Sequence, residues 1–190
     1  GRLMPLVIKG SSSGQVTGDV PAAAGTNTLT FPAATGNIIT NKTAGTIIQI
    51  VNTQTGAVAT GTTTMPQDDT IPQNTEGDQY MTLAITPTNS SNKLKIDVVW
   101  HGSNGTASGI MLAALFQDST ANALAAGSAG STEAANDMKD IVFSHFMTAG
   151  TTSETTFKVR AGFNASGTTT FNGAGSGRRL GGVFASSITI

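Results

Sequence analysis

Two histidines, eleven acids and no cysteine bound the chemistry open to this 190-residue chain. Without cysteine there is no disulfide, no zinc–thiolate site and no thiol nucleophile. A serine-histidine-acid arrangement needs a histidine beside both a hydroxyl and a carboxylate. Asp97 lies four residues before His101, which on a strand puts both on one face about two pleats apart. His145 sits in Val142-Phe-Ser-His-Phe-Met147, where alternation sends Ser144 and Phe146 to the opposite face. The one Gly-x-Ser-x-Gly match, Gly10-Ser-Ser-Ser-Gly14, reads as a Ser/Gly turn with no helix pattern after it, unlike the strand–turn–helix of a nucleophile elbow. Both histidines are expected to be buried or at an interface, and no catalytic residue is assigned.

The acids offer two other chemistries. Asp68, Asp69, Glu76 and Asp78 fall within eleven residues, the best local supply of oxygen ligands for calcium. Their spacing does not match an EF-hand loop, so a solvated acidic loop is expected and no metal is assigned. Glycoside hydrolysis would need two carboxylates roughly 5–10 Å apart in a cleft, and eleven acids always allow a pair to be drawn. A polysaccharide-cleaving groove of that kind is, however, usually built along a long parallel β-helix, and this chain is too short and lacks that period. The glycine-rich stretches 102–109 and 173–182 lack the following helix and the Lys-Ser/Thr of a P-loop, so they read as turns. No cofactor is expected.

For binding, Trp100 and Tyr80 are the only large aromatics with a polar tip. Trp100 ends an apolar strand and is expected in the core or at an oligomer axis. Loop position instead nominates Asn104, Asn172, Arg178 and Arg179 as candidate receptor-binding residues, since loops on a rigid scaffold commonly carry recognition.

The elements that must hold these residues are β-strands. Charged residues make up 11% of the chain and hydrophobic ones 38%, with a net charge of −1, where a typical domain is about 25% charged. Threonine, serine, glycine, alanine and asparagine fill the place of charge, which suits short strands, tight turns and surfaces facing other protein copies. Apolar runs such as Ile110–Phe116 are too short to span a membrane. Arg178–Arg179 is the only basic cluster, so nothing points to nucleic acid. No basic segment followed by an apolar run marks a secretory signal; the start at Gly1 fits either removal of an initiator Met or a fragment.

Residues 1–45 hold only four charges, Arg2, Lys9, Asp19 and Lys42, and read as an extended β-rich attachment arm. Its strand candidates are 6–9, 16–20, 26–31 and 37–40, with a Ser/Gly turn over 10–14. Residues 46–190 read as a compact domain with strands near 46–52, 57–63, 79–86, 93–101, 109–117, 138–147, 154–163, 167–172 and 182–190. Alternation is clearest at Met81, Leu83 and Ile85 against Thr82, Ala84 and Thr86. The one helix candidate is 131–140, which is short and reads equally as an exposed loop. Eight or nine strands over about 145 residues predict an all-β, antiparallel β-sandwich, most simply a jelly roll.

Three segments carry a family resemblance. Gln67-Asp-Asp-Thr-Ile-Pro-Gln-Asn-Thr-Glu-Gly-Asp-Gln-Tyr-Met-Thr-Leu-Ala-Ile-Thr-Pro-Thr88 resembles a signature of tail-fibre and related virion proteins of tailed bacteriophages. Ala114-Leu-Phe-Gln-Asp-Ser-Thr-Ala-Asn-Ala-Leu-Ala-Ala126 and residues 148–162, with 170–173 and 180–190, are similar to the same group. In the arm, 9–14 and 24–36 resemble units found upstream of such heads. The resemblance implies a noncatalytic homotrimeric virion appendage with a jelly-roll head akin to the C1q/tumour-necrosis-factor shape, on a tail fibre or as a capsid head fibre. It also implies synthesis in the host cytoplasm, exposure on the virion surface, and attachment to other virion proteins through the arm. Three copies are expected to bury Ile110–Phe116 and Ile141–Phe146 around a three-fold axis, multiplying weak contacts to a host-surface glycan. The alternative is a capsid or tail decoration or cement protein without a receptor.

Overall fold

The computed structural model describes residues 7–9, 15–17 and 45–190. The chain divides into two compact units, Gly1–Thr46 and Ile47–Ile190. In the first, β1 (Val7–Lys9) pairs antiparallel with β2 (Gln15–Thr17). The strand candidates at 26–31 and 37–40 lie outside the described residues.

The second unit is an antiparallel sandwich. Its strands are β3 (Asn52–Thr55), β4 (Ala59–Gly61), β5 (Asp78–Ile85), β6 (Lys93–Asn104), β7 (Met111–Gln117), β8 (Ala125–Ser128), β9 (Met138–Thr148), β10 (Thr155–Phe163), β11 (Thr169–Phe171), β12 (Gly173–Ala174), β13 (Gly177–Arg178) and β14 (Ser186–Thr189). One sheet runs β5–β10–β7–β8. In the other, β6 pairs with β9 on one side and with both β14 and β11 on the other, and these pair with β3 and β4. Most consecutive strands cross from one sheet to the other; β7 to β8 is a hairpin within a main sheet, and β12 and β13 form a small two-stranded hairpin of their own. That winding is the double Greek key of a jelly roll.

Period-two patterning builds the core. Leu94, Ile96, Val98 and Trp100 are buried while Lys93 and Lys95 are exposed. They meet Met81, Leu115, Phe157 and Val159 from the facing sheet in one cluster. Burying each such side chain contributes about 1.5–3 kcal/mol. A bulge opposite Val159 and Arg160 leaves Tyr80 unpaired in the ladder. It turns inward, stacking on Phe171 at 5.0 Å and meeting Trp100 edge-on at 6.2 Å. Gly102 lets this cluster close, because a Cβ there would lie 2.4 Å from both the Trp100 ring and the Thr170 carbonyl oxygen.

The apolar run Ile110–Phe116 is not left for a three-fold axis, and this corrects the expectation. Met111, Ala113 and Leu115 point into the sandwich. Leu112, Ala114 and Phe116 point outward but are sealed under Met65 and Ala123 of the same chain. The covering segment is fastened down: the Met65 amide donates to the Phe163 carbonyl at 3.0 Å, and Arg160 donates to the Glu76 and Gly77 carbonyls at 2.9 and 2.6 Å. Nor is 131–140 a helix. It is irregular to Asp137, with Asn136 at φ 66°, and its last three residues open β9. Strand β8, Ala-Ala-Gly-Ser, carries no β-branched residue to announce it, and Gly127 brings it against Ile141 and Phe143. The only helical turn among the described residues is a short 3-10 segment at Leu180–Gly182. None of the described helices is long and apolar enough to cross a membrane.

Candidate functional site

The outer face of the β6–β9 sheet carries no such cover among the described residues. Alternation along β9 sends Ile141 inward, 2% exposed, and leaves Val142 and Phe146 bare at 68% and 66%. Register places Val142 beside Val99, Ser144 beside Asp97, Phe146 beside Lys95 and Asp140 beside His101. Among the described residues strand β9 pairs only with β6, so one edge of this 11-residue strand is open there. A long, apolar strand edge is a template for joining another chain unless something covers it.

Polar groups order the strip between these side chains. Asp97 accepts hydrogen bonds from Lys95 and, at 2.6 Å, from the Ser144 hydroxyl. The Lys95 bond first, then that of Ser144, hold the Asp97 carboxyl below its ordinary range. His101 Nδ1 pairs with Asp140 Oδ1 at 2.5 Å, and Phe184 lies over the imidazole at 4.6 Å between ring centres. The carboxylate beside His101 is therefore Asp140, 39 residues on, and not Asp97. Ser186 Oγ accepts from the His101 backbone amide at 2.9 Å and donates to Asn172 Oδ1 at 2.7 Å. Its proton is committed to an amide rather than to an imidazole. His145 is half-buried on β9 opposite Ile96.

The four residues nominated for receptor contact separate into two pairs. Asn104 and Asn172 are fully buried. Asn104 Oδ1 accepts from the Thr106 amide at 2.8 Å. Asn172 donates to the Thr55 and Ala57 carbonyls at 2.7 and 3.0 Å and accepts from the Ser186 amide at 3.0 Å. Both amides serve the chain's own backbone. Arg178 and Arg179 are exposed. Trp100 is fully buried, so its ring offers no surface for a sugar.

The acidic segment does not converge on one point. Asp68 accepts from the Thr70 hydroxyl and amide, which hold its carboxyl below the usual range. Glu76 accepts from the Gln73 amide and Asp78 from Thr63. Among the described residues no group of three or more acids and histidines could hold a metal ion. Asp68 and Asp69 instead rim an open groove of about 420 Å³, floored by Ile71, Pro72 and residues 123–126. Sequence flags Ile141–Phe146 and the acids Asp68 and Asp69, but which side chains share each surface depends on which strands end up side by side. No protein-family model matches the chain, and no curated protein matches it.

Proposed function

We propose that this chain is a noncatalytic virion appendage protein of a tailed bacteriophage that assembles as a trimer through the β9 face and attaches to the host surface. The carrying observation is Val142 and Phe146, exposed at 68% and 66% on an open strand edge. Exposed apolar side chains in a row mark an association surface. The strip also holds the His101–Asp140 and Asp97–Ser144 pairs, which would fix the register of an otherwise greasy contact. The jelly-roll winding and the resemblance of residues 67–88 to tail-fibre proteins support the same reading. Three copies would present every outer loop three times, turning weak contacts into useful avidity. The receptor is a host-surface glycan, and the exposed loops are where it would be met.

The test is saturable binding of the fluorescently labelled full chain to a panel of bacterial strains, competed by the unlabelled chain. Binding to at least one strain, removed when its surface polysaccharide is stripped, is expected. A chain that binds no strain but binds virions lacking it would overturn attachment in favour of capsid or tail decoration.

A further inference from the structure

We propose that a second copy of this chain docks its Arg178–Val183 loop into the groove beside β8, setting Arg178 and Arg179 against Asp68 and Asp69 of the next copy. The proposal rests on assembly of the chain and names a second pair of surfaces that would meet in it.

Every other lysine and arginine of 45–190 is engaged within the chain. Lys93 donates to Thr148, Lys95 to Asp97, Lys139 to Asp137, Lys158 to the Asp118 carbonyl and Arg160 to two further carbonyls. The Arg178 and Arg179 side chains make no hydrogen bond among the described residues beyond one from Arg179 to the Arg178 carbonyl at 3.5 Å. The loop that carries them also holds Leu180 and Val183 out to solvent, at 66% and 84% exposed. It is a projecting knob of two cations and two aliphatic side chains.

The groove is its complement in charge and in polarity. Asp68 and Asp69 are exposed and form no ion pair among the described residues, and the floor is Ile71, Pro72, Leu124 and the alanines around it. Within one chain the knob lies between β11 and β14 of one sheet, while the groove lies beside β8 of the other. The contact would therefore be heterologous, knob of one copy to groove of the next, as a closed ring requires.

Reversing charge on each side and then on both tests it. Arg178→Glu/Arg179→Glu and Asp69→Arg are each expected to weaken self-association about tenfold or more, measured by sedimentation equilibrium of the full chain. Combining both reversals in one chain should restore it, and added salt should weaken the wild type. All three positions are exposed, and Asp69 accepts no hydrogen bond, so folding should survive; unchanged melting verifies this. Should Asp69→Arg melt early, Asp69→Asn gives the same readout in smaller measure. An oligomeric wild type whose mass ignores every reversal would overturn this contact while leaving assembly intact. A monomeric wild type would overturn both. Loss of heparin binding in the arginine variant at unchanged mass would assign the knob to an anionic ligand and overturn the second copy as its occupant.

Discussion

Strands β7 and β9 carry comparable apolar content and meet opposite fates. The first six residues of β7, Met-Leu-Ala-Ala-Leu-Phe, are all buried, three in the sandwich and three under the segment led by Met65. In β9 the apolar residues alternate with Asp140, Ser144 and Thr148, and Val142 and Phe146 stay bare. A continuous apolar run marks a strand covered on both faces, and here the chain supplies both covers itself. Alternation broken by large apolar residues on the solvent side leaves a face bare among the described residues. Apolar runs in a sequence thus do not by themselves locate an exposed apolar surface; here the strand with the weaker pattern carries it.

Truncating the covered side should cost folding and nothing else. Phe116→Ala empties a fully buried site and is expected to lower stability by about 3–5 kcal/mol, read by urea melting, with no specific loss of self-association where folded. Asn172→Ala comes next. Removing the amide strands the Thr55 and Ala57 carbonyls and the Ser186 amide, at about 2–3 kcal/mol. Its binding to cells should change no more than its melting does. Unaltered stability with lost binding would restore Asn172 as a contact residue.

Tyr80 gives a smaller effect with a definite sign. Burial first, and the charge of Asp78 second, push its phenol well above the ordinary range. Its hydroxyl also has no hydrogen-bond partner among the described residues. A group whose folded pKa is raised contributes stability that is complete below the unfolded value and declines as pH rises past it, here from about pH 10. Tyr80→Phe should melt within about 1 kcal/mol of the wild type at neutral pH and flatten the loss between pH 9 and 12. On the open face, Asp97→Asn should have the smallest effect. A lowered carboxyl adds stability above its unfolded value, lost as pH falls through the folded one. The variant's acid melting should therefore lose part of its slope below about pH 4, and an unchanged slope would detach Asp97 from Lys95 and Ser144.

Local patterning made much of the fold legible. Met81, Leu83 and Ile85 turn inward while Thr82, Ala84 and Thr86 are exposed, as period two requires. The same rule places Leu94 to Trp100. Local patterning fails where long-range pairing decides. Strand β8 is made of small residues and exists because β7 and β9 flank it. The Asp140 partner of His101 follows from the β6–β9 register, and the burial of Asn104 and Asn172 from the loops folded over them. Nothing near those residues in sequence encodes either fact. Of the candidate site, the arginine pair, the acids Asp68 and Asp69 and the stretch Ile141–Phe146 stand out in the chain; which of their side chains share a surface is set by neighbours distant in sequence.

The most direct test of the account is the solution mass of the full chain by light scattering over a range of concentrations, with Val142→Asp/Phe146→Asp beside it. The account predicts a wild type at three times the chain mass and a folded variant at the chain mass. A wild type that remains monomeric at every concentration, or a variant that stays trimeric, would contradict assembly through the β9 face.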